Sequence, residues 1–155
     1  SRLLDQNGVG EYKTIVLDSI TTFSQMALKH IVSSNPGIKR VQTTQGVQPG
    51  MQDYGILKRE FARLIPGLIK LPCNVVMLGH IKTDKDENSG EIIRGCMMDG
   101  SFGQELPIYF EEVWRAYVDD KGKHWAQTRS DYKYKCRTQL TDVPKTVPLN
   151  YKEIF

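Results

Sequence analysis

The sequence predicts an α/β fold, with a parallel sheet flanked by helices in the first half and short antiparallel strands after it. Three observations carry this. Two apolar runs, 14–18 and 74–79, each lead into a polar residue at the strand end, Asp18 and His80. Segments of helical period lie between them. From residue 111 onward, short stretches separated by turn residues replace that period.

The run Thr14–Asp18 reads Thr-Ile-Val-Leu-Asp, a pattern expected of a strand buried on both faces of a parallel sheet. Ser19 to Thr22 supply capping hydroxyls, and Phe23, Ala27 and Ile31 recur every four residues, so a helix follows directly. Residues 33–50, rich in Gly, Pro, Gln and Thr, read as a long loop whose only charges are Lys39 and Arg40. Helical period returns over 53–70. Leu57, Phe61, Leu64, Ile65 and Leu68 line one face, and Lys58, Arg59 and Arg63 the other. Pro66-Gly67 is expected to kink or shorten this helix, and Pro72 to end it.

Residues 74–79 form the second strand. A right-handed crossover brings Asp18 and His80 to one sheet edge, the edge at which open α/β sheets bind ligands. Residues 81–103 read as a charged, glycine-containing loop. Strands at 111–118 and 124–129 are expected to flank a turn at Asp119–Lys123, and Tyr132 to Arg137 alternates strictly. One domain is expected over 1–143, followed by an irregular tail at 144–155.

At 155 residues, 39% hydrophobic and 25% charged, the chain has the composition of a folded domain with one core. Its net charge of +3 permits contact with nucleic acid without demanding it. Cys73, Cys96 and Cys136 form no CxxC pair, and His30, His80 and His124 do not stand at metal-ligand spacing beside them. A reducing cytoplasm is expected rather than a disulfide framework. No apolar run approaches the ~20 residues of a membrane span, and no secretion signal opens the chain. Its start at Ser1 hints at a fragment.

Asp18 is the most telling residue, because a carboxylate at the end of an apolar strand needs a cation or hydrogen-bond donors. Two readings are open: a Walker B carboxylate in the magnesium shell of a nucleotide, or a cap at the strand-to-helix turn. His80 is either a polar sensor of the γ-phosphate or a hydrogen-bonded strand terminus. Lys133, Lys135 and Arg137 fall on one face of the alternating stretch, ~7 Å apart if it is a strand. They suit an anion, either nucleic-acid phosphate or a neighbouring subunit's nucleotide; the bland reading is a solvated edge strand. Residues 84–91 imitate a calcium loop but place Ser89 where glycine is required and Gly95 where the bidentate glutamate belongs, so they read as a solvated charged loop. No GxxxxGK[ST] occurs: Gly122-Lys123 is followed by His124.

Together, Tyr-Lys-Thr-Ile-Val-Leu-Asp-Ser at 12–19, Leu-Pro-Cys-Asn-Val-Val-Met-Leu-Gly-His at 71–80 and the run Gly100 to Arg115 resemble the phage and prophage RecA-like AAA-type ATPases of single-strand annealing and recombination. The likeness covers about residues 11–140. It implies a partial RecA-like P-loop NTPase core with ATP and Mg2+ as cofactors, Asp18 as magnesium ligand, Ser19 beside it in the cofactor site and His80 as sensor. It also implies Lys39, Arg40, Lys82, Lys85 and Arg94 as contacts to single-stranded DNA, and Lys133, Lys135 and Arg137 as cations acting on a neighbour's ATP.

Only seventeen residues precede Asp18, and they hold neither a phosphate-binding loop nor the carboxylate that activates water in such proteins. The 155 residues alone are therefore expected neither to hydrolyse ATP nor to bind it tightly. A missing N-terminal segment or a neighbouring subunit would complete the site, self-association would cover unpaired strands, and the location would be a host cytoplasm. A non-catalytic nucleic-acid-binding or assembly module and a fragment of a helicase-type motor are the competing readings.

Overall fold

The apolar runs at 14–18 and 74–78 find each other. The computed structural model describes residues 12–85, 90 and 92–150. In it β1 (Thr14–Asp18) and β4 (Asn74–Leu78) pair in parallel, with Val16 opposite Val76 and Asp18 opposite Leu78. Parallel pairing needs a crossover, which α1 (Ile20–Ser34), the hairpin β2 (Gln42–Thr43) and β3 (Gly46–Val47), and α2 (Met51–Ile69) provide. The remaining elements are β5 (Ile81–Lys85), β6 (Ile92–Cys96), the short α3 (Phe102–Glu105), a 3-10 turn at Leu106–Tyr109, and β7 (Arg115–Val118), β8 (His124–Gln127) and β9 (Thr146–Pro148).

Two compact units result. The first ends at His80 and includes Cys96–Tyr109; the second comprises Ile81–Gly95 and the chain from Phe110 onward. In the first, α1 and α2 pack on each other and on β4. Ile20, Leu28 and Ile31 from α1 join Leu57, Phe61 and Ile65 from α2 in the core, closed by Leu71, Met98, Phe102 and Leu106. Phe61 sits at the centre, its ring 5.7 Å from both Phe23 and Phe102, within the range at which aromatic pairs attract.

In the second unit β7, β8 and β9 form an antiparallel sheet, with Ala126 and Val147 buried between strands in register. The β7–β8 turn is closed by Asp119, whose carboxylate accepts from the Lys121 and Lys123 N–H groups and from the Trp125 indole, while Gly122 takes the φ of 76° the turn requires. These donors hold the Asp119 carboxyl below its ordinary value.

Several expectations change. β1 and β4 are not buried on both faces: Val16 is 57% and Val76 41% exposed, while Ile15, Leu17, Val75 and Met77 turn inward. Among the described residues no third strand joins this pair and nothing covers the Val16 face. Pro66 does not shorten α2, which runs on to Ile69. The 33–50 segment is no bare loop, since Thr43 Oγ1 donates to the Gly46 carbonyl (2.8 Å) within the β2–β3 hairpin. The segment 81–103 holds β5 and β6, which pair as a two-stranded sheet; residues 86–89 and 91 of the calcium-like stretch lie outside those described. The 144–155 segment contains β9.

Tyr132 to Arg137 is not a strand. Asp131 Oδ1 accepts from the Lys133 and Tyr134 N–H groups, each at 2.7 Å, and the captured backbone turns instead of extending. A single bridge, Val113 to Arg137, remains.

Candidate functional site

The carboxyl edge of the β1–β4 pair gathers the two residues that end its strands. Asp18 is in register with Leu78, two residues before His80. The Asp18 side chain points to the exposed face, and among the described residues its carboxylate has no hydrogen bond or ion-pair partner. Ser19 completes the turn as the cap of α1: its Oγ accepts from the Thr22 N–H (3.2 Å) and lies 3.2 Å from the Thr22 hydroxyl. The capping role that competed for Asp18 therefore belongs to Ser19, which leaves the carboxylate uncommitted. The peptide between Asp18 and Ser19 is cis.

His80 is fixed by its backbone rather than by its ring. Its N–H donates to Thr21 Oγ1 (3.0 Å), a buried hydroxyl in the first turn of α1, and its carbonyl accepts from the Met97 N–H (2.7 Å). One turn along α1, the fully buried Ser24 hydroxyl donates to the Thr21 carbonyl (2.8 Å) and accepts from the Asp99 N–H (3.2 Å). The first two turns of α1 thus tie the end of β4 to the segment after β6. Gly79 makes this approach possible. A Cβ built there stands 2.5 Å from Cys96 Sγ and 3.0 Å from Ile20 Cγ2, so no larger residue fits without displacement. The surroundings also push the Cys96 thiol above its ordinary value by burial.

No group of three or more metal-ligating side chains occurs among the described residues. A magnesium ion does not need one, since it keeps several waters and takes one or two carboxylates together with substrate phosphates. An exposed, uncommitted Asp18 with the Ser19 hydroxyl adjacent fits that donor set.

The remaining candidates are dispersed. Arg40 is held within the fold: its side chain is 5% exposed, Nε and Nη2 donate to the two oxygens of Asp53 at 2.9 and 2.7 Å, and Nη1 donates to the Asn35 carbonyl at 2.8 Å. This guanidinium is spent on partners inside the first unit. Lys39 is exposed, as is Lys85 on β5, and Lys82 pairs with Asp84 at 3.1 Å. Arg94 meets the other cation group. Its guanidinium lies 5.2 Å from the Tyr134 ring and donates to the Lys133 carbonyl at 3.3 Å. Arg115 covers the same ring at 3.8 Å and also approaches Tyr117 at 4.8 Å. Lys133 and Lys135 are exposed, while Arg137 is bridged through its backbone to Val113 at 2.8 and 2.9 Å. The sequence singled out neither Arg115 nor Tyr117 as part of this group; the alternation of Tyr132 and Tyr134 with three cations was the available signal.

Residues 5–140 match the AAA domain family. No curated protein and no solved structure matches the chain. With a match over most of its length and the polar ends of two parallel strands gathered at one edge, the chain belongs to the AAA domain family.

Proposed function

We propose that this chain carries the magnesium and sensor side of an ATP site in a phage ATPase that acts on single-stranded DNA during recombination and annealing. Membership of the AAA domain family supports the coarser part, a nucleotide-binding ATPase-like module. The observation that carries the reading is the Asp18 carboxylate, exposed and uncommitted at the end of β1, two register steps from His80. Asp18 would hold Mg2+ with Ser19 beside it, and the bound ion would neutralise charge on the phosphate oxygens. His80 would read the terminal phosphate. Its carbonyl and N–H are joined to Met97 and Thr21, so a displacement of His80 is felt by both segments.

The 155 residues contain no GxxxxGK[ST], and in this reading the phosphate-binding loop comes from polypeptide outside them. ATP turnover by the 155-residue chain tests the half-site. None is expected, and turnover abolished by Asp18→Ala would overturn it. In an ATP-hydrolysing assembly that includes the chain, Asp18→Asn is expected to abolish turnover; undiminished turnover would remove Asp18 from the site.

A further inference from the structure

We infer that the loop 130–137 is a built platform for single-stranded nucleic acid, on which a base stacks against Tyr132 while Lys133 and Lys135 meet the flanking phosphates. The inference rests on the DNA-acting reading above and names the surface that would serve it.

The loop is held shut from within. Ser130 Oγ donates to the Cys136 carbonyl (2.7 Å) and accepts from the Cys136 N–H (3.0 Å), joining the two ends of the loop. Asp131 accepts from the Lys133 and Tyr134 N–H groups, and its own N–H donates to the Tyr134 carbonyl (3.1 Å). These donors hold the Asp131 carboxyl below its ordinary value, so the turn stays locked through neutral pH. Tyr134, half-buried, anchors the loop through the guanidinium groups of Arg115 and Arg94, 3.8 and 5.2 Å from its ring centre.

What this rigid frame presents outward is the opposite of what a solvated loop conceals. Tyr132 is 90% exposed, with Lys133 Nζ 5.3 Å from its ring centre. An aromatic ring placed in water by a hydrogen-bonded frame, with Lys133 against it and the exposed Lys135 two residues further on, has the two components of a sequence-tolerant single-strand site: a π face for the base and positive charge for the backbone. Asp131 is the one acidic side chain of the loop and its Oδ1 is taken up by the Lys133 and Tyr134 N–H groups, while residues 132–140 include none. The competing use of such lysines, protection of an exposed edge strand, does not apply because Tyr132 to Lys135 form no strand. Preorganisation matters here, since a loop already ordered loses little freedom on binding.

Fluorescence anisotropy of a labelled oligothymidylate, titrated at low salt, tests the site. Tyr132→Ala should weaken binding at least about fivefold, while Tyr132→Phe keeps the ring and binds as wild type. Lys133→Gln and Lys135→Gln should each lower the slope of log affinity against log salt by about 0.7. The exposed position of Tyr132 predicts unchanged melting by circular dichroism for both tyrosine variants. Wild-type binding and salt slope retained in Tyr132→Ala, Lys133→Gln and Lys135→Gln alike would overturn this platform and leave the DNA reading to other cations. No wild-type binding at low salt would overturn the DNA reading itself. Displacement of the oligonucleotide by ATP at equal concentration would assign the loop to a mononucleotide. A change of oligomeric mass in Tyr132→Ala without loss of DNA binding would assign it to a protein contact, and either result overturns the inference.

Discussion

Arg40 and Asp53 form a two-pronged ion pair beneath the β2–β3 hairpin, with Nε on Oδ2 and Nη2 on Oδ1. Asp53 also accepts from the Gly50 N–H at the start of α2 (2.8 Å), and Arg40 donates to the Asn35 carbonyl just past α1. One carboxylate and one guanidinium therefore fix the hairpin to both helices. The hydrogen bonds from Arg40 lower the Asp53 pKa from its ordinary 3.8; burial opposes this and the Gly50 N–H reinforces it.

Removing the charge should expose that dependence. Asp53→Asn leaves a buried guanidinium uncompensated and should lower Tm by roughly 5 °C or more. Because the folded pKa is depressed, the stabilisation is complete above the unfolded value near 3.8 and is lost as pH falls through the folded one. The Tm gap between wild type and Asp53→Asn should stay constant from about pH 7 to 5 and narrow below about pH 4. A gap that does not change with acid would show that the pair is not ionised as described.

The same pair marks where the sequence stopped being readable. β1, α1, α2 and β4 announced themselves through apolar runs and a period near four, because each buries one face against a neighbour. Asp18 and His80 followed from the crossover. Arg40 read as one of two charges in a long loop, since its partner lies thirteen residues away and is brought near only by closure of the hairpin. β5 and β6 were hidden because Lys82, Asp84 and Arg94 mask any apolar pattern in two short strands. At Tyr132 to Arg137 a genuine alternation misled, since one side-chain oxygen of Asp131 captured the N–H groups that a strand would have used.

Thr21 to His80 is the contact that positions the proposed sensor, and it depends on one hydroxyl. Thr21→Val keeps the shape but leaves the His80 N–H without its acceptor, a change worth about 1–3 kcal/mol of stability. Thr21→Ser restores the oxygen and should recover most of the loss. Chemical denaturation of the three proteins checks this, and equal midpoints for Val and Ser would remove the hydrogen bond from consideration.

Gly79 and Cys96 should be coupled. Gly79→Ala pushes a methyl against Cys96 Sγ and should destabilise the first unit, whereas Cys96→Ala alone deletes the obstructing sulfur and leaves a small cavity. Together they should cost less than the sum of the two, with a coupling of about 0.5–3 kcal/mol. Part of the strain remains against Ile20 Cγ2 in the double variant. Strict additivity in denaturant titrations would show that Gly79 is not required by the sulfur.

The exposed face of β1 and β4 sets the last expectation. Val16 and Val76 stand directly opposite each other with Leu78 beside them, and among the described residues nothing covers them. A two-stranded parallel pair is also unusual in isolation, because parallel sheets normally have both faces covered and because each strand here keeps one unpaired edge. Apolar surface of this kind drives association, and sulfate should strengthen it by being excluded from the protein surface. Sedimentation of the wild-type chain should show mass rising with concentration across the micromolar range. Val16→Lys with Val76→Lys places two like charges side by side on that face and should hold the protein monomeric, with its helical circular dichroism retained because α1 and α2 pack on the other side. A wild-type chain that stays monomeric over the same range, with or without sulfate, would show that this face alone does not drive self-association.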